Sequence, residues 1–552
     1  MTMNRNSHST VMKVKRAERW IMDLSRIENS FQPTQDGKCV ISPGGMVSSA
    51  FPLASQAGST MLAKGGNAVD AAVAAAMALC VCEPQACGLG GQTMALIHYA
   101  GRSFFLDGSG RIPALANPDE FGPDDQKYGY KATSVPTTIA VLGSMVRKYG
   151  RLSWQEILTP ALLAARKGYM ITELQQRLQK RELNNFASVP SGSGARYYLK
   201  NGSTPYDTGE LFRQPDLAKL IETLILKGPE IFYSGRIPKM IEKDMRKNGG
   251  FLRAADFLPV PWPVERPVLC SKYRGLELNS APPPAAGRSL FLLLKLLENF
   301  PGEYFASGNI EAQWYLAESI RSVLIERRSH PMWPDRYDFR KDTVLENPGK
   351  LDQISLPEDG LEDAGGQTTH ISTMDNQGNA VALTQSVNLV YGSKAAAEGL
   401  GFLYNDYLLD CSITDTNHPH YLCPGNTPAS FVAPLLILNQ GRPWLVAGSP
   451  GSERIISTVA QFIVNVVDLG LPICQAMQKP RLHYSPEGLL SLEGGRFKPE
   501  LLQYLETQDC GVSLRRDYSF FLGAIHAALR CMTKNEFQGV AEVRRDGIAA
   551  GP

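Results

Sequence analysis

The spacing of apolar and polar positions changes several times along the chain, and each change marks an element. Residues 1–43 read as an irregular or helical leader, and a short strand begins at Met46–Ala50. Leu53 to Leu62 reads as a helix that stops at Gly65-Gly66, since glycine is favoured just past a helix end. Asn67 can cap the next helix, with Asp70 three residues on, near the positive helix end. That helix, Val69 to Cys80, is apolar on nearly all sides, which predicts burial on every face. Gly88-Leu-Gly-Gly91 leads into two strands, Met94–Tyr99 and Ser103–Asp107, turning at Ala100-Gly101. A dinucleotide site needs its strand before the glycines, and here the strand follows them. Residues 115–330 read as largely helical, broken by the Gly/Ser-rich stretch Pro190–Gly202. Residues 343–366 set Glu346, Asp352, Glu358, Asp359, Glu362 and Asp363 among Pro and Gly, with few large apolar groups, and are expected to be mobile. Short strands follow.

The first of these strands form a hairpin. Two β-rich runs flank Asn376-Gln377-Gly378, a three-residue loop with glycine at the position that favours positive φ. That loop makes Asp375 face Asn379, and counting outward sets Thr368 opposite Ser386. Opposed side chains lie on one face with Cβ atoms ~5 Å apart; a bulge would move the pairing by one residue. By the same count His370 faces Thr384 and reads as a structural neighbour. Asp107 and Asp375 read as turn residues.

A threonine hydroxyl is a weak nucleophile unless a base takes its proton. At a chain N-terminus its own α-amine, with a pKa of about 8, is such a base. Thr368 is internal, so this base exists only if the Gln367–Thr368 bond is cut. Further on, Trp444–Gly448 reads as a strand ending in Ser449-Pro-Gly-Ser452, with a helix from Glu453 to about Leu469. Small residues at a strand-to-helix turn leave backbone N–H groups free at a positive helix end, a suitable oxyanion hole.

Composition narrows the classes. The chain has 552 residues, 56 basic and 54 acidic, for a net charge of +2. This balance offers no electrostatic attraction to nucleic acid or an anionic membrane, and the short basic run at 13–19 reads as a solvated helix face. No apolar run is long enough to span a membrane, and no secretory signal is read near Trp20. The ten cysteines are scattered; Cys80, Cys82 and Cys87 read as buried thiols on an apolar stretch. These features suggest a cytoplasmic protein with reduced thiols, and nothing implies a cofactor or metal.

Several motifs together resemble the gamma-glutamyltransferase family: Leu53–Gly58, Gly65–Ala76, Gln367-Thr-Thr-His370, Asn379–Asn388, Gly448-Ser-Pro-Gly451 with Arg454-Ile-Ile456, and Arg544-Arg-Asp-Gly547. The resemblance implies an α+β, four-layer αββα N-terminal nucleophile hydrolase fold. It implies autocatalytic cleavage into a large chain, in which 44–367 follow the leader, and a small chain, 368–552, which stay associated; whether a dimer of such heterodimers forms is open. It implies Thr368 as nucleophile, first on its own preceding carbonyl and then on a small-molecule amide. Ser386 matches a positioning hydroxyl, Gly451 and Ser452 the oxyanion donors, Asn388 a substrate-binding asparagine, and Asp410 the carboxylate that holds the glutamyl amine.

The resemblance also has gaps. The family's carboxylate-binding arginine would fall at Ser109, with Arg111 two residues on. Tyr407 stands where glutamyl enzymes carry glutamine or glutamate. A pair of serines aligns with Ser430 and Phe431, so one hydroxyl is missing. The segment between Asp410 and Pro428 looks shortened. Such thinning resembles the branch that holds cephalosporin acylases and oxamate amidohydrolase. Three readings follow: hydrolysis or transfer of gamma-glutamyl groups, hydrolysis of another acyl amide, or an uncleaved, inactive relative that serves as a binding or structural protein.

Overall fold

The computed structural model describes residues 24–305, 309–348, 351, 367–508 and 510–552. The basic run at 13–19 and most of the acidic segment, 352–366, lie outside the described residues. Two seven-stranded sheets stack face to face. One runs in the order Ile548–Ala550, Gly45–Ser49, Gln367–Asp375, Ala380–Asn388, Gln92–Tyr99, Arg102–Asp107, Val264–Arg266. The other runs Cys39–Ser42, Glu536–Ala541, His526–Cys531, Arg442–Gly448, Leu435–Asn439, Leu276–Ser280, Leu269–Tyr273.

Three apolar layers hold these sheets. Met46, Met94, Leu96, Met374, Leu436, Val446 and Phe537 fill the space between them. Helices Pro52–Ala63 and Ala68–Cys82 cover the outer face of the first sheet, meeting Ile371, Val381 and Leu383. Helices Gly287–Leu297, Ile310–Ser329 and Arg454–Ile463 cover the second, meeting Leu278, Ile437 and Leu445. The result is the expected αββα stack. The helix read at Val69–Cys80 runs Ala68–Cys82 and is buried along its whole length, as an all-apolar surface requires. Its capping box is complete: Asn67 accepts from the N–H groups of Val69 and Asp70, and Asp70 accepts from Asn67 N–H.

The structure departs from the sequence reading in three places. The stretch expected to be irregular or helical contributes the strand Cys39–Ser42, paired with Glu536–Ala541. Five strands, Tyr169–Met170, Leu211–Phe212, Val264–Arg266, Leu269–Tyr273 and Leu276–Ser280, interrupt the region read as largely helical. The break at Pro190–Gly202 holds a short helix, Ser193–Tyr198.

Candidate functional site

The hairpin places the candidate nucleophile. Its loop has Gly378 at φ +88°, and Asp375 locks it by accepting from the N–H groups of Gln377 and Asn379. Pairing runs from Met374–Ala380 to Thr369–Gln385 in the expected register, then slips by one, so that Gln367 pairs with Asn388. Thr368 sits at that slip. Side chains alternate across a strand, so Thr368, His370, Ser372 and Met374 face the space between the sheets. Met374 is apolar and packed; toward Thr368 the same face turns polar.

Three bonds converge on one hydroxyl there. Thr368 Oγ1 donates to Ser386 Oγ at 3.3 Å. Ser386 Oγ donates to the carbonyl of Gln367 at 2.7 Å and accepts from Asn388 N–H at 2.8 Å. Tyr407 reaches Ser386 and Gln92 with its hydroxyl, and burial raises its pKa. Arg545 Nη1 donates to the side-chain oxygen of Gln367 at 3.1 Å, and its guanidinium lies 3.5 Å from the centroid of the Phe520 ring. Burial lowers the Arg545 pKa to about 10. Buried Glu83 sits between Thr369 and Arg545, and desolvation raises its carboxyl to about 7.

His370 is not placed as a base for Thr368. Its Nδ1 bonds Thr384 Oγ1 at 2.9 Å and its Nε2 bonds Ser372 Oγ at 3.1 Å. Burial holds its pKa down to about 3, so the ring is neutral.

Strand Arg442–Gly448 delivers the candidate oxyanion turn. Gly448 lacks a side chain because His370 fills the space: a Cβ would lie 2.3 Å from the imidazole. Gly451 has φ +130° and Ser452 φ +54°, so the turn carries two successive residues at positive φ. Among the described residues neither N–H makes a hydrogen bond.

A cavity of about 1010 Å³ opens on this region, with Asn388, Asp410, Phe431 and Ser452 among its lining residues. Asn388, at φ +81°, hydrogen-bonds the Asp410 carboxyl. Burial raises the Asp410 pKa to about 7, against the lowering effect of Arg327 and Asn388. The other candidates lie away from this wall. Ser109 donates to Asp107 at 2.6 Å, and Arg111 is exposed. Ser430 is buried, and its carbonyl accepts from Arg327 at 2.7 Å. The structure thus gathers Gln367, Thr368, Ser386 and Tyr407 in one cluster, and sets Asn388, Asp410 and Ser452 along the adjoining cavity. Arg545, Glu83 and Arg327 carried no assigned role in the sequence reading; only the closing Arg-Arg-Asp-Gly motif hinted at the first.

A family model described as Gamma-glutamyltranspeptidase matches residues 54–552. The chain is 32% identical over 506 residues to the glutathione hydrolase proenzyme of Escherichia coli (strain K12), covering 85% of this chain and 86% of that one. It is 29% identical over 481 residues to the acylase ACY 1 proenzyme of Pseudomonas sp. (strain V22), covering 81% and 84%. Among solved structures, cephalosporin acylase from Bacillus halodurans superposes with a TM-score of 0.84 at 23% identity, covering 98% of this chain and 99% of that one. The gamma-glutamyltranspeptidase of Helicobacter pylori superposes at 0.51 with 30% identity, covering 57% of this chain and 96% of that one. The acylase superposition assigns the N-terminal nucleophile hydrolase fold. The family match spans nearly the whole chain, hairpin and glycine turn included, so this chain belongs to the gamma-glutamyltranspeptidase family of enzymes.

Proposed function

We propose that the chain is an autoprocessing amidase whose nucleophile is Thr368, freed by cleavage of the Gln367–Thr368 bond into chains 1–367 and 368–552. One observation carries this reading: the Thr368 hydroxyl meets Ser386, and Ser386 donates to the carbonyl of the bond to be cut. In maturation Thr368 Oγ1 attacks the Gln367 carbonyl carbon. The C–N bond breaks, the proton passes to the departing α-amine, and water hydrolyses the ester that remains. The new amine then serves as base. In turnover Thr368 attacks the substrate amide, the leaving amine takes the proton, and water or an acceptor amine releases the acyl group. The N–H groups of Gly451 and Ser452 receive the developing oxyanion; losing one such donor typically lowers the rate about 10²–10³-fold.

The acyl group is gamma-glutamyl, from glutathione or related amides. Asp410 beside Asn388 suits an ammonium group, and glutathione hydrolases are among the relatives. A second reading, hydrolysis of a glutaryl, cephalosporin or oxamate-type amide, draws support from Phe431 in the cavity wall and from Ser109 turned onto Asp107. The ten cysteines are free thiols, which supports a reducing compartment, the cytoplasm. Among the described residues no helix is long and apolar enough to cross a membrane.

Purified protein should give two bands on a denaturing gel, the smaller beginning at Thr368, and Thr368→Ala a single inactive band. A processed Thr368→Ala protein would refute the assignment. A gamma-glutamyl anilide should be turned over much faster than a glutaryl anilide; equal rates favour the second reading.

A further inference from the structure

Three arginines reach the cavity, and they differ in how their charge is met. Arg288 is ion-paired with Glu326 and Asp342, and Arg328 with Glu453 and Glu487. Arg327, near the end of helix Ile310–Ser329, lines the same cavity and has no carboxylate in ion-pair contact among the described residues. Its Nη2 donates to the carbonyls of Ser430, at 2.7 Å, and Pro284, at 3.3 Å. Its guanidinium carbon lies 5.1 Å from the centroid of the Phe431 ring. Among the described residues its Nε and Nη1 make no hydrogen bond, and the side chain lines the cavity.

Asp410 lines the cavity too, and it also has no ion-pair partner among the described residues. Burial acts on both groups, lowering the arginine to about 10 and raising the carboxyl to about 7. Each acts on the other electrostatically without an ion-pair contact, and a ligand that carries both charges supplies the direct contacts that each lacks. A cation and a carboxylate that line one cavity without touching each other complement a zwitterion.

We infer that Arg327 binds the carboxylate at the amino-acid end of the acyl group, with Asp410 taking the ammonium beside it. This rests on the glutamyl reading of the same site. The charge comes from a helix behind the cavity rather than from the strand end at Ser109. Two carbonyls hold one edge of the guanidinium and the Phe431 ring lies against it, so the open edge is already set for a carboxylate.

The test uses processed protein and four anilides: gamma-glutamyl, 4-aminobutyryl (no carboxylate), glutaryl (no amine) and butyryl (neither). Arg327→Gln should lower kcat/KM on the two carboxylate-bearing donors roughly 30- to 100-fold, mainly through KM. It should leave the other two within about 2-fold, and Arg327→Lys should fall between. Equal losses on all four donors would mean a structural role and overturn the inference. So would a wild-type enzyme that turns over 4-aminobutyryl as well as gamma-glutamyl and butyryl as well as glutaryl, a result that needs no variant to fold. A wild type that prefers glutaryl to gamma-glutamyl would defeat the glutamyl reading alone, and the glutaryl–butyryl pair would then judge the arginine.

Discussion

Ser386 uses a single hydroxyl for the Gln367 carbonyl, the Asn388 N–H and the Thr368 hydroxyl. The first bond polarises the carbonyl that Thr368 attacks in the proposed maturation, so Ser386→Ala should slow conversion of the precursor about 10²-fold, read as the half-time of the uncut band. The Asn388 N–H would lose its partner as well, at a cost of about 1 kcal/mol in stability; conversion at the wild-type rate would remove Ser386 from the mechanism. Asp410 makes a prediction about pH. Burial raises its carboxyl from 3.8 to about 7, so it is neutral below that value and ionised above it. An ammonium group is held only by the ionised form, so KM for a gamma-glutamyl donor should fall as pH rises through about 7. A glutaryl donor should lack this limb, and Asp410→Asn should abolish it. Folding stability runs the other way: the folded carboxyl keeps a proton that the unfolded one releases, so this group's contribution declines between about pH 4 and 7. An identical pH profile for both donors would detach Asp410 from amine binding.

The hairpin Gln367–Asn388 and the strand Arg442–Gly448 meet where the His370 ring lies on Gly448. A methyl group at 448 would stand 2.3 Å from the imidazole, which is bonded on both nitrogens and cannot swing away. Gly448→Ala should therefore push the turn at Ser449–Ser452 off the hairpin and lower kcat at least 10-fold, with overpacking costing about 1–3 kcal/mol of stability. Wild-type kcat at unchanged melting temperature would show that the two elements are not so tightly registered. Most of this arrangement was legible because it is local. A loop ending in Gly378 sets the register, the register brings Thr368 to Ser386, and the small residues after Gly448 mark the turn. The one-residue slip at Gln367 was not legible, because it depends on Asn388 adopting positive φ. Nor were the strands Cys39–Ser42 and Val264–Arg266. Four or three residues carry too little alternation to read, and the first gains its place only by pairing with Glu536–Ala541, far along the chain. Arg327, Arg545 and Glu83 were hidden for the same reason, since each reaches the site from an element distant in sequence.

The proposed cleavage at Gln367–Thr368 would leave both sheets spanning the cut. In the first sheet Gly45–Ser49 and Gln92–Tyr99, which precede the cut, pair with the two strands of the hairpin, which follow it. In the second sheet Leu276–Ser280 pairs with Leu435–Asn439, and Cys39–Ser42 with Glu536–Ala541. Every apolar layer draws side chains from both sides of residue 367. Losing a single peptide bond from such a weave removes neither a ladder nor a core, so the proposed pieces should stay together without any covalent link; all cysteines are free thiols. Processed protein should accordingly elute as one species in native buffer while giving two bands in detergent. It should also unfold in a single thermal transition, because neither piece retains a complete seven-stranded sheet or an apolar layer of its own. Two native peaks, or two separate transitions that correspond to 1–367 and 368–552, would mean that the pieces are independent domains and that the interleaved sheets do not survive the cut.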